Sequence, residues 1–157
     1  MKKIASAIIL ILMVFTACQK SEDGPAKKSA ETKSTIEINS PWIRAAAKNM
    51  NTALFFEIAN NTENEIALVK VESEISKVVE VHETFEKGED MMGMRQVDEV
   101  TIPANGSRLF KPMSFHVMLI GLNQDVKEGE TYSANLFFDN GSQIAISAPV
   151  KVFEMKK

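Results

Sequence analysis

Beyond residue 35 the chain alternates short apolar runs with clusters of turn-forming residues, and the runs have the length of β-strands. Candidate strands are Thr52–Asn60, Glu65–Val71, Lys77–Phe85, Ser107–Lys111, Phe115–Leu122, Thr131–Asp139 and Gln143–Phe153. They are rich in the β-branched and aromatic residues that pack well on a pleated surface. Between them lie NNTEN, EKGED, PANG, NQDVKEGE and DNG, where Asn, Asp, Gly and Pro supply turn chemistry. The sharpest hairpin signal is Asn140-Gly141 between two apolar runs, because the two-residue turns that match strand twist require positive φ. After the first residues no helical periodicity of useful length appears, and no internal repeat is visible. Many short strands at this spacing predict an all-β domain, a sandwich or barrel, over residues 36–157.

Residues 1–35 break that pattern. MKKIASAIILILMVFTAC has a basic start at Lys2 and Lys3, an apolar run from Ile4 to Phe15, and small residues before Cys18. That is the layout of a secretory leader over residues 1–17, and the run is shorter than the roughly 20 residues a spanning helix needs. Cys18 is the only cysteine and directly follows Phe15-Thr16-Ala17, a placement that resembles a bacterial lipobox, with Phe15 where the common pattern has Leu. In a lipoprotein this Cys is acylated and becomes the first residue of the mature chain. Its acyl chains would hold the protein at a membrane surface, each buried CH₂ contributing about 0.8 kcal/mol. The expected location is therefore the cell envelope or periplasm, facing outside the cytoplasm. The competing reading is an ordinary cleaved leader with an incidental cysteine. Residues 18–35 are polar and charged with almost no large apolar side chain, which predicts a flexible tether.

Charge and composition narrow the function. The formal net charge is −3, and loss of Lys2 and Lys3 with the leader takes it to −5. Nucleic-acid binding, which shows as a basic surface, is not expected. A single Cys at the leader excludes an internal disulfide, so stability must come from the core. The unusual feature is nine methionines against two histidines.

Each histidine lies near methionine. On a strand, residues i and i+2 share a face, so His116 and Met118 point to the same side. In Lys77–Phe85, His82 lies on the side opposite Val79 and Val81, and the turn at Gly88 returns a second arm carrying Met94 beside the first. Two imidazoles and two thioethers form a soft donor set, and softness selects Cu(I) over zinc, calcium or magnesium. Type 1 blue copper requires a Cys thiolate, which the domain lacks, so cupredoxin-type electron transfer is not expected. The competing reading makes the methionines core filler and the histidines satisfied polar groups.

The residues then match a known pattern. His82, Glu83, ten residues, Met94, twenty-one residues and His116-Val117-Met118 resemble the signature of the periplasmic copper chaperone family PCuAC. The surrounding MRQVDEVTIPANGSRLFKPMSFHVMLIGL, and upstream SPWIRAA and TALFFEIAN, are also similar to that family, so the likeness spans roughly Ile36 to Val152. The resemblance implies a cupredoxin-like Greek-key β-sandwich in which His82, Met94, His116 and Met118 bind one Cu(I). It also implies a chaperone, not an enzyme, and expected as a monomer. Its copper would go to the CuA centre on subunit II of cytochrome c oxidase, alongside a Sco-type thiol protein. The alternative is an envelope lipoprotein that sequesters copper without delivering it. Glu83 stands where the family has an optional Met and is not counted as a ligand. Met113 and Ser114 stand where it often has Gly-Gly. Met113 adds a thioether at the rim or simply packs, and Met91 and Met92 are exposed hairpin residues or assist copper capture. Some relatives carry a His- and Met-rich tail, and KVFEMKK at this C-terminus does not match it.

Overall fold

A computed structural model describes residues 36–88 and 91–152, all within one compact unit. The leader, Cys18, the tether over 18–35 and the last five residues lie outside the described residues. Ten strands and no helix are described: β1 (Ile36–Arg44), β2 (Thr52–Asn60), β3 (Ile66–Glu72), β4 (Ser76–Gly88), β5 (Met91–Gln96), β6 (Val100–Ile102), β7 (Gly106–Phe110), β8 (Phe115–Leu122), β9 (Thr131–Phe138) and β10 (Gln143–Lys151). The strand order is β5-β4-β8-β2-β1-β10-β9-β3-β6, with β7 on β2. The all-β expectation holds, and the sheets pack as a sandwich. One layer is β5-β4-β8-β2-β1 and the other β10-β9-β3-β6, joined where β1 pairs in parallel with β10 at Ile43↔Val150.

Alternation builds the core. Leu54, Phe56 and Ile58 of β2, Val117 and Leu119 of β8, and Leu136 of β9 are essentially sealed from solvent. Phe56 stacks on Phe110 with ring centroids 4.5 Å apart and planes 22° apart, within the centroid range aromatic pairs adopt. At Asn140-Gly141 a tight turn forms with three loop residues, 139–141, instead of two. Gly141 takes the positive φ (+82°) and Asn140 does not. The Gly141 N–H donates to the Phe138 carbonyl at 3.0 Å, and the Phe138 N–H donates to the Ser142 carbonyl at 3.0 Å.

One irregularity sets up the site. β7 and β8 are consecutive strands that both pair antiparallel with the same edge of β2, at Phe56↔Phe110 and Leu54↔Val117. Between those pairs β2 advances by one residue, Phe55, while its partner inserts Lys111–His116. The chain therefore leaves the line of the sheet over Lys111–Ser114 and rejoins it as β8. A turn closed by Ser114 N–H to Lys111 O at 3.2 Å holds that excursion, and Lys111 N–H donates to Phe115 O at 2.8 Å.

Candidate metal centre

All four predicted ligands project from one face of the sheet. β4 and β8 pair antiparallel with His82 directly opposite His116, and Glu80 opposite Met118. On the other side of β4, the β4–β5 hairpin sets Thr84 opposite Met94. Directly paired residues share a face, as do residues two apart on one strand. His82, His116, Met118, Thr84 and Met94 are therefore on the same side. Cross-strand pairing continues the row beyond His116, for Phe55 of β2 lies 6.4 Å from its ring centroid and Trp42 of β1 packs on Phe55 at 4.5 Å. Ala53 and Phe55, on the face of β2 away from the core, are nonetheless buried, and they form the floor of the site.

Above that floor lies a cleft of about 330 Å³ into which Met94, Met118 and His116 open, together with Met92, Met113 and Arg44. No carboxylate lines it. Among the described residues no group of three or more His, Cys, Asp or Glu side chains is gathered to hold a metal. The donors that open into the cleft are thioethers and an imidazole, which suit a soft ion, whereas hard cations take oxygen ligands.

His116 is 5% exposed, and its Nδ1 lies 2.9 Å from the carbonyl oxygen of Ser114. A carbonyl oxygen only accepts, so Nδ1–H is the donor and the Nε2 lone pair is left free. Burial holds the His116 pKa below its ordinary 6.5, the Ser114 carbonyl opposes that shift, and electrostatic interaction with His82 and Arg44 adds to it. The shift favours the neutral ring, the form in which imidazole binds metal. The same Ser114 carbonyl also accepts the Thr84 N–H at 3.2 Å, which ties the excursion to β4.

His82 is held differently. Its side chain is 18% exposed, and Nε2 lies 2.8 Å from the Glu80 carboxylate two residues back on the same face. A carboxylate that fixes the tautomer and orientation of a ligating histidine is the usual outer-sphere arrangement. The two imidazole centroids are 6.0 Å apart. With metal–nitrogen bonds of about 2.0–2.1 Å, two rings sharing one ion have centroids no more than about 6.5 Å apart, so the pair spans a distance one ion can bridge. His82 does not line the cleft, as Met94, His116 and Met118 do; it stands next to it, across from His116.

Glu83 falls on the opposite face. Its carboxylate accepts from Arg95 Nη2 at 2.6 Å and Nε at 3.0 Å, across the hairpin register Glu83↔Arg95. Met91 does not line the cleft, whereas Met92, two residues before Met94 and on its face, does. Two features escaped the sequence: the Glu80 partner of His82, and the sharing of the Ser114 carbonyl. The i, i+2 spacing of Glu80 and His82 was the signal for the first.

A family model described as "Putative lipoprotein LpqE-like" matches residues 36–150. "Putative lipoprotein Lxx21020" of Leifsonia xyli subsp. xyli (strain CTCB07) is 26% identical over 149 residues, covering 95% of this chain and 89% of that protein. Among solved structures, the solution structure of CuI-DR1885 from Deinococcus radiodurans superposes with a TM-score of 0.61 at 27% identity, covering 80% of this chain and 83% of that one. The copper-bound PCuAC domain from PmoF2 superposes with a TM-score of 0.63 at 21% identity, covering 75% and 93%. The resemblance to the PCuAC family holds, and the shared fold is a β-sandwich.

Proposed function

Because the chain belongs to the LpqE-like lipoprotein family, we propose that it is an envelope copper chaperone, anchored through Cys18, that carries one Cu(I) on His82, Met94, His116 and Met118. The observation that carries this reading is the register of β4, β5 and β8, which sets two imidazoles and two thioethers on one face around a cleft without carboxylates. Copper in neighbouring PCuAC domains, named as copper-bound for PmoF2 and DR1885, supports it. Neutral thioethers bind Cu(I) softly and carry no charge to neutralise on release, and an acceptor's thiolates displace them. The acceptor we propose is the CuA site of cytochrome c oxidase subunit II, with a Sco-type thiol protein in the same exchange.

The test is anaerobic Cu(I) titration against a chromogenic chelator, comparing the natural chain with a His116→Ala/Met118→Ala double variant. One tight equivalent lost in the variant supports the reading; equal, weak uptake by both overturns it. Transfer of that equivalent to an apo CuA domain separates delivery from simple sequestration, in which copper stays bound.

A further inference from the structure

Two further methionines open into the cleft, and the proposed four-ligand set uses neither. Met113 sits at the third position of the Lys111–Ser114 turn with φ +65° and is 66% exposed. A turn with Pro at its second position and positive φ at its third is ordinarily completed by Gly or Asn. An L side chain there costs roughly 1–2 kcal/mol, and strain of this kind is retained mainly at functional sites. Met92 is 47% exposed and projects from β5 on the same face as Met94. Met113 and Met92 both line the cleft, one from the excursion and one from the hairpin. The excursion is also mechanically linked to an inner ligand, since the Ser114 carbonyl next to Met113 holds His116 Nδ1–H.

We propose that Met92 and Met113 form an outer thioether pair at the mouth of the cleft, which takes up Cu(I) on its way in and holds it on its way out. The proposal rests on the copper reading of the inner set. Passage is ligand exchange alone. A thioether sulfur of Met92 or Met113 bonds to copper as a donor ligand leaves, then is itself replaced by an inner sulfur or imidazole nitrogen. Copper remains +1 throughout, no electron moves, and a neutral thioether leaves without taking a proton. Met91 and Met50, exposed but outside the cleft, serve as internal controls.

The experiment labels the methionine methyls of the full chain with carbon-13 and adds substoichiometric Cu(I) anaerobically. The expected result is that the Met92 and Met113 methyl resonances shift or broaden together with Met94 and Met118, while Met50 and Met91 stay in place. A Met92→Leu/Met113→Leu variant should retain its Cu(I) affinity within about threefold while transferring copper to a chromogenic chelator more than about threefold more slowly. If Met94 and Met118 respond but Met92 and Met113 do not, or if the transfer rate is within about threefold of the natural chain, the outer pair is overturned and the inner site stands. If no methionine methyl responds, the inner site fails and the outer pair fails with it.

Discussion

His82 and His116 are cross-strand partners, directly opposed in the β4–β8 register with ring centroids 6.0 Å apart. Everything proposed for the site follows from that pairing. A one-residue slip between β4 and β8 would turn one imidazole to the other face, and the core-side pairs Val81↔Val117 and Val79↔Leu119, buried except for the half-buried Val79, oppose such a slip.

The anchoring of His82 gives the first prediction. Glu80 accepts the Nε2–H of His82 and so fixes the ring. Loss of an outer-sphere carboxylate typically costs 10–100-fold in metal affinity. Glu80→Ala should weaken Cu(I) binding by about tenfold while leaving one equivalent bound, as read by competition with a chelator. An unchanged affinity would show that Glu80 does not orient the ligand.

Protonation of His116 gives the second. Burial places its folded pKa below 6.5, so in the window between the folded value and 6.5 the unfolded chain binds more protons than the folded one. Its contribution to stability is complete above 6.5 and is lost as pH falls from 6.5 towards the folded value. Urea denaturation of the metal-free chain should show a drop in stability across that window. A His116→Gln variant should show a smaller drop over the same interval. Equal pH dependence in both would contradict the assignment.

The strained turn yields a third. Met113 is 66% exposed and is not part of the buried core, while its φ of +65° carries a penalty glycine does not. Met113→Gly should raise the stability of the metal-free chain by about 1 kcal/mol, measured by urea unfolding. A loss of stability would mean the methionine packs in a way its exposure does not suggest.

A fourth concerns the far end of β2. Asn60 is fully buried, and its Nδ2 donates to the carbonyls of Asn64, Ile102 and Pro103 at 2.8, 3.3 and 3.1 Å. Its Oδ1 accepts from the Thr62 N–H and hydroxyl at 3.0 and 2.7 Å. Removing a hub of this kind leaves several buried groups unpaired at about 1–3 kcal/mol each. Asn60→Ala should destabilise the domain by about 2–4 kcal/mol without changing Cu(I) affinity, because it lies at the opposite end of β2 from Ala53 and Phe55.

What could be read from the chain without coordinates divides along local and non-local lines. The i, i+2 relation of His116 and Met118, the placement of His82 away from Val79 and Val81, and the Asn140-Gly141 turn are local, and each appears in the fold. β1 was not legible, because Asn39-Ser40-Pro41 reads as a turn. In the structure it is a bulge, with Ser40 at φ +49° and a register shift between Asn39 and Trp42, a position where a strand tolerates proline. β6 is only three residues long and carries too little alternation to register. The pairing of His82 with His116 depends on strand order, which no local pattern encodes; the family spacing implied that the two meet, and the β4–β8 register is how they do. Met94 lies opposite Thr84, one same-face step along β4 from His82, a displacement that hairpin reasoning did not resolve.

The central claim is that two imidazoles and two thioethers share one Cu(I), and X-ray absorption at the copper edge of the singly loaded chain tests it most directly. The predicted spectrum has the edge of a +1 ion and a first shell of both nitrogen and sulfur, with the sulfur contribution reduced in Met94→Leu and in Met118→Leu. A first shell of nitrogen and oxygen alone, unchanged by either substitution, would contradict it.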